Sequence, residues 1–170
     1  AGDDLYLLAT DAGYGFVGQF SDMVSRNKNG KALLSLPKGA LVMVPNPVND
    51  LATDNCLAIT NEGRMLQFPV SSLPQLSKGK GNKIISIPSA RVLSREEFVT
   101  QIAIVPQGAN VTLFAGKRKL TLKPNDLEHY SGERGRRGNK LPRGLQRVDS
   151  IIIEAIDDVA TAETVVTPNE

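Results

Sequence analysis

Apolar and polar positions along this chain recur with a period of about 50 residues, and that repeat decides the fold class before any single motif does. The first unit runs LYLLATDAGYGFVGQFSDM, SRNKNGKALLSL, ALVMVP. The second runs CLAITNEGRMLQFPVSSL, SKGKGNKIISI, TQIAIVP, and the third VTLFAGKRKLTLKPNDL, SGERGRRGNKL, VDSIIIE. Each unit opens on an apolar strand, turns at a glycine (Gly13, Gly63, Gly116), returns through a second strand and enters a loop rich in glycine and basic residues. Glycine at such a turn supplies a positive φ without steric cost. The stretches around Ile102 and Ile104 and from Ile151 to Ile153 are β-branched runs of strand length. Leu120 and Leu122 alternate with Thr121 and Lys123, the period of a half-buried strand.

Helical periodicity is scarce. A short helix is expected over Ser94–Thr100, with Ser94 as its cap and Glu97 three residues on. A helical turn is expected at Pro124–Leu127, with proline at an early position. Strand pairs repeated at this period predict an all-β array of about three four-stranded blades, a propeller or a related open array. The array occupies residues 1–154, in approximate units 5–50, 55–106 and 110–154, and residues 155–170 form an acidic C-terminal tail.

Charge sharpens this reading. The net charge of +2 conceals an asymmetry: residues 1–75 sum to −2, residues 76–150 to +9 and residues 151–170 to −5. A basic block of that density points to a polyanion. Its members fall at matching loops of the repeats: Arg26, Lys28 and Lys31; Lys78, Lys80 and Lys83; Arg134, Arg136, Arg137, Lys140 and Arg143. Any one such loop reads more readily as a solvated hairpin, but three in register favour a rim that follows phosphates, where each neutralising cation releases counterions. Lys117, Arg118 and Lys119 form a separate basic hairpin, for which ordinary surface charge is an equal reading. Period-2 alternation puts Lys117 and Lys119 on one face and Arg118 on the other. No recognition helix is evident, so binding of weak sequence specificity is expected.

Other chemistry is thin. Gly79–Lys83 lacks the spacing and the terminal Ser or Thr of a nucleotide-binding loop. His129 is the only histidine, with no cysteine cluster to share a metal, and Cys56 is the only cysteine, set in an apolar stretch where it reads as a small core residue. Tyr6, Tyr14 and Tyr130 have no acid–base constellation around them, and Tyr6 reads as core. No catalytic residue, metal site or cofactor is expected in the chain. No apolar run reaches the roughly 20 residues of a membrane span, and no signal peptide is evident.

The segments SGERGRRGNKLPRGLQRVDSIIIE, LPQLSKGKGNKIISIPSA and FAGKRKLTLKP closely resemble the C-terminal domain of the A subunit of bacterial topoisomerase IV, and the resemblance covers about residues 5–154. It implies a β-pinwheel, whose blades exchange strands with their neighbours. It also implies a non-catalytic role: binding and bending duplex DNA on a basic rim and presenting it to a cleavage core for ATP-dependent strand passage, in decatenation and supercoil relaxation. The parent enzyme would use ATP and Mg through other domains or subunits. It would pair with a second A subunit and with the other topoisomerase IV subunit, in the cytoplasm with the nucleoid. The alternative role is docking a chromosome-organising protein such as an SMC-type condensin. Two departures stand out. The glutamine-arginine-arginine-glycine-glycine-lysine-glycine box of gyrase A is absent, its nearest relative being Gly135-Arg136-Arg137-Gly138-Asn139-Lys140. Only three repeats are present, so the array is partial relative to the family domain and is expected to leave a sheet edge open.

Overall fold

The computed structural model describes residues 4–27 and 34–155. Lys28, Lys31 and the acidic segment 156–170 lie outside the described residues.

In the first unit, β1 (Leu5–Thr10) and β2 (Tyr14–Gln19) form a hairpin, α1 (Phe20–Asn27) follows, and β3 (Asn46–Val48) returns beside β1. In the second, β4 (Asn55–Thr60) and β5 (Arg64–Pro69) pair, then come the short β6 (Asn82–Lys83), α2 (Ser89–Leu93) and β7 (Val99–Val105). The third holds β8 (Asn110–Ala115), β9 (Arg118–Leu122), α3 (Pro124–Leu127), β10 (Asn139–Lys140) and β11 (Ser150–Glu154). The hairpin glycines take the expected conformation, with φ of 90° at Gly13, 81° at Gly63 and 62° at Gly116.

The sheets do not coincide with the sequence units. Their orders are β3-β1-β2-β6, β7-β4-β5-β10 and β11-β8-β9. The second and third units therefore each hand one short strand to the sheet before: β6 closes the first sheet and β10 closes the second. Two sheets thus have four strands, while the third has three among the described residues. The three antiparallel sheets agree with the expected array of about three blades, the third being three-stranded among the described residues.

Burial follows strand alternation. In the middle sheet, Cys56, Ala58, Leu66 and Phe68 face the first sheet and pack with Leu7, Ala9, Val17, Ile84 and Ile85. Leu57, Ile59 and Met65 face the third sheet and pack with Val111, Leu113 and Leu122. The outer face of the third sheet is mixed: Thr112 and Thr121 pair through their hydroxyls at 3.0 Å, and the exposed Ile152 lies opposite Thr112.

Three local expectations need correction. The helix placed at Ser94–Thr100 lies instead at Ser89–Leu93, after Pro88, and Ser94 ends it by donating its N–H to the Ala90 carbonyl. Arg95 then adopts φ 63°, and its guanidinium binds the Asp11 carboxylate of the first unit at 2.8 Å. Long-range pairing of Arg95 and Glu97 overrides the capping pattern. The second correction is α1, which occupies a stretch read as strand and loop. The third is Tyr6, which is half-buried against Phe20 rather than enclosed in the core. The turn expected at Pro124–Leu127 forms as α3, closed by the Asp126 carboxylate accepting the Lys123 N–H.

Candidate nucleic-acid interface

Strand exchange positions the basic loops. Equivalent contacts hold each donated segment: the Ile84 N–H donates to the Gly13 carbonyl, as the Leu141 N–H donates to that of Gly63. Gly81 and Gly138 stand at equivalent places just before the donated strands, with φ of 82° and 78°. A Cβ at either would run into the receiving strand, at the Gly15 or the Met65 carbonyl. The Gly-Asn-Lys run common to both loops is therefore a docking device: glycine permits the close approach, and lysine ends on the edge strand.

Successive loops also bond to one another. The Ser35 N–H donates to the Gly79 carbonyl at 2.9 Å, the Gly135 N–H to that of Ile84 at 3.0 Å, and the Ser86 N–H to that of Arg136 at 2.9 Å. The loops of adjacent units are thus in direct contact.

The expected site residues divide by what their side chains already hold. Lys78, Lys83 and Lys140 are exposed and have no ion pair among the described residues. The Lys80 ammonium sits 4.4 Å above the Tyr14 ring, and Lys83 lies opposite Tyr14 across the exchanged pair. These residues, with Lys38, line an open groove of about 670 Å³ floored by Pro37, Val92 and Leu93. Lys38 escaped the sequence reading because it lies outside the glycine-rich loops.

In the third unit the arginines are largely engaged. Arg134 donates Nε to the Ser72 carbonyl at 3.0 Å and Nη1 to that of Lys83 at 2.9 Å, clasping the second unit. Arg137 donates Nη1 to the Ser86 carbonyl at 2.6 Å and Nη2 to Glu97 Oε1 at 3.1 Å. Glu97 is fully buried, also pairs with Arg91 at 3.4 Å, and leaves Oε2 without a partner among the described residues. Arg136 is exposed and pairs with the exposed Glu133 at 2.8 Å. Arg64, also absent from the sequence reading, faces Lys140 across the exchanged pair and donates Nη1 to the Gly138 carbonyl at 3.2 Å.

At the third hairpin, Lys117 occupies the turn, while Arg118 and Lys119 fall on opposite faces of β9. The Arg118 side chain lies against Gly144, next to Arg143, and Lys117, Arg118, Lys119 and Arg143 are all exposed. Arg26 lies in α1.

The remaining polar chemistry is structural. Cys56 is completely buried, and desolvation pushes its thiol far above the usual thiol range. Tyr130 is buried with its ring edge-on to His129, and burial raises its phenol. Among the described residues no group of three His, Cys, Asp or Glu side chains could hold a metal ion, and no helix is long and apolar enough to cross a membrane.

Comparisons with known proteins agree with this architecture. Residues 54–106 match the family model described as "DNA gyrase C-terminal domain, beta-propeller". The chain is 61% identical over 152 residues to the A subunit of DNA topoisomerase 4 from Pseudomonas aeruginosa and 54% identical over 153 residues to that from Escherichia coli K12. These matches take in 89% and 90% of this chain but only 20% of each relative, so the chain spans about a fifth of their length. The solved structure of the E. coli ParC C-terminal domain superposes with a TM-score of 0.84 at 54% identity, covering 91% of this chain and 62% of that one. A DNA gyrase A C-terminal domain shares the fold alone, with a TM-score of 0.66 at 14% identity, covering 89% and 49%.

Proposed function

We propose that this chain, which belongs to the family of C-terminal domains of the topoisomerase IV A protein, is a non-catalytic module that binds and bends duplex DNA along its basic loops. The observation that supports the reading is the direct hydrogen bonding between successive loops that carry the basic residues. Phosphates along a duplex would meet Lys78, Lys80 and Lys83 at one unit boundary and Lys140 at the next, then the group of Lys117, Arg118, Lys119 and Arg143. Each phosphate neutralised releases counterions, so affinity falls steeply with salt. Backbone contacts of this kind position the protein without reading sequence. In the whole enzyme, such a module would hold a DNA segment near the cleavage core contributed by other domains and subunits, for strand passage that relaxes or decatenates DNA.

The test is an anisotropy titration of the chain with unrelated duplexes at several salt concentrations, beside a K80Q/K83Q/K140Q variant. The reading expects sequence-indifferent binding whose salt dependence is reduced in the variant by about one phosphate per lysine removed. Binding that ignores salt, or a variant with the parent's salt dependence, contradicts it.

A second reading, docking of a protein partner, rests on a different surface. Leu36, Leu41, Val42 and Val44 are all exposed, Val44 by 82%. Apolar residues this exposed in one segment mark interaction surfaces, and binding there would be nearly insensitive to salt.

A further inference from the structure

The two exchanged strand pairs differ at one register position. Across the first, Lys83 faces Tyr14, an aromatic ring that also carries Lys80. Across the second, Lys140 faces Arg64, placing two cations directly opposite each other. Like charges at such a position destabilise a strand pair unless something lies between them. No acid takes that place among the described residues: neither side chain has an ion pair, and Glu62, two residues before Arg64, is engaged by Arg91 at 3.4 Å. The guanidinium of Arg64 gives Nη1 to the Gly138 carbonyl, which holds it beside the incoming strand with no other side-chain partner among the described residues. Lys140 is exposed and half of this arrangement comes from each unit.

We propose that Arg64 and Lys140 form a composite site for one phosphodiester group of the DNA backbone, assembled only when the third unit donates β10 to the second sheet. The inference rests on the DNA-binding reading and deepens it. Arginine supplies planar paired donors and lysine a compact charge, and a phosphate between them removes the repulsion that the bare pair carries. Because the site exists only in the exchanged state, phosphate binding and strand exchange are linked: DNA stabilises the interlock, and loss of the interlock removes the site. The first sheet, with tyrosine at the matching place, has no such pair.

The experiment uses the whole chain, with duplex DNA as the probe. Salt-dependence slopes are measured for the parent, K140Q, R64Q, R64K and K83Q, together with thermal midpoints of the DNA-free proteins. K140Q and R64Q are each expected to lower the slope by about 1, with R64K retaining most of the parent's value. DNA-free K140Q is expected to melt at or above the parent temperature, because one of two opposed charges is gone. That combination of weaker binding and undiminished stability separates a ligand site from a structural role. A K140Q protein that melts below the parent overturns the proposal. Slopes unchanged in K140Q and R64Q but lowered in K83Q overturn the composite site and leave the DNA-binding reading standing. A parent chain without salt-sensitive DNA binding overturns both.

Discussion

At the scale of single residues, Arg136 and Arg137 are adjacent in the chain and differ in what they hold. Arg137 binds the buried Glu97 and the Ser86 carbonyl of the second unit, whereas Arg136 pairs with an exposed carboxylate. Hydrogen bonds to charged groups contribute about 1.5–3 kcal/mol, and exposed ion pairs about 1 kcal/mol or less. R137M is therefore expected to lower the free energy of urea unfolding by about 1.5–3 kcal/mol. R136M is expected to change it by less than about 1 kcal/mol. Tyr130 adds a pH dependence. Its phenol is raised above the ordinary value near 10 by burial, so the folded state holds that proton more tightly than the unfolded chain. The resulting stability is fully present below a pH of about 10 and is lost as pH rises through the folded value. Urea midpoints at pH 9 and above pH 10 should show that loss in the parent, and Y130F should flatten it.

At the scale of elements, the donated strands depend on glycine. Gly138 has φ 78° and meets the Met65 carbonyl, while Gly116 has φ 62° and open space around it. An alanine at position 116 faces only the cost of the left-handed conformation, about 1–2 kcal/mol. At position 138 it also collides with backbone, so G138A is expected to destabilise more than G116A in parallel thermal melts. G138A is further expected to expose to hydrogen exchange the backbone amide of Leu141, which donates to the Gly63 carbonyl across the exchanged pair. Equal effects of the two substitutions would contradict the docking role given to Gly138. α2 shows the limit of local rules. Ser94 and Glu97 have the spacing of a capping box, yet Ser94 closes a helix and Glu97 is drawn into a pair with arginines from two units. A charged residue with a buried long-range partner outweighs a cap worth about 1 kcal/mol.

At the scale of the whole molecule, the middle sheet serves both main cores. One face of β4 packs through Cys56 and Ala58 on the first sheet, and the other through Leu57 and Ile59 on the third. Damage there is felt on both sides. Ile59→Ala should cost about 2–5 kcal/mol, as large-to-small changes in a filled core do. The loss should appear in one cooperative transition, with far-ultraviolet circular dichroism and tyrosine fluorescence coinciding. Two separated transitions would show that the outer sheets stand independently.

What the sequence determined by itself is the local pattern. Period-2 alternation, β-branched runs and the glycines at positions 13, 63 and 116 specify hairpins, because strand alternation and turn sterics act between near neighbours. The repeat carried those hairpins into an array, and the resemblance of its longer segments supplied the family and its strand exchange. The basic loops were legible as charge, but not which of their arginines are free. Only the tertiary structure decided that Arg134 and Arg137 clasp the neighbouring unit and that Arg64, far away in sequence, stands opposite Lys140. It also decided that β6 and β10 belong to sheets other than those of their own units. The physical reason is the same in each case: these partners are at least 40 residues apart, and no local propensity encodes a contact made only when two units dock.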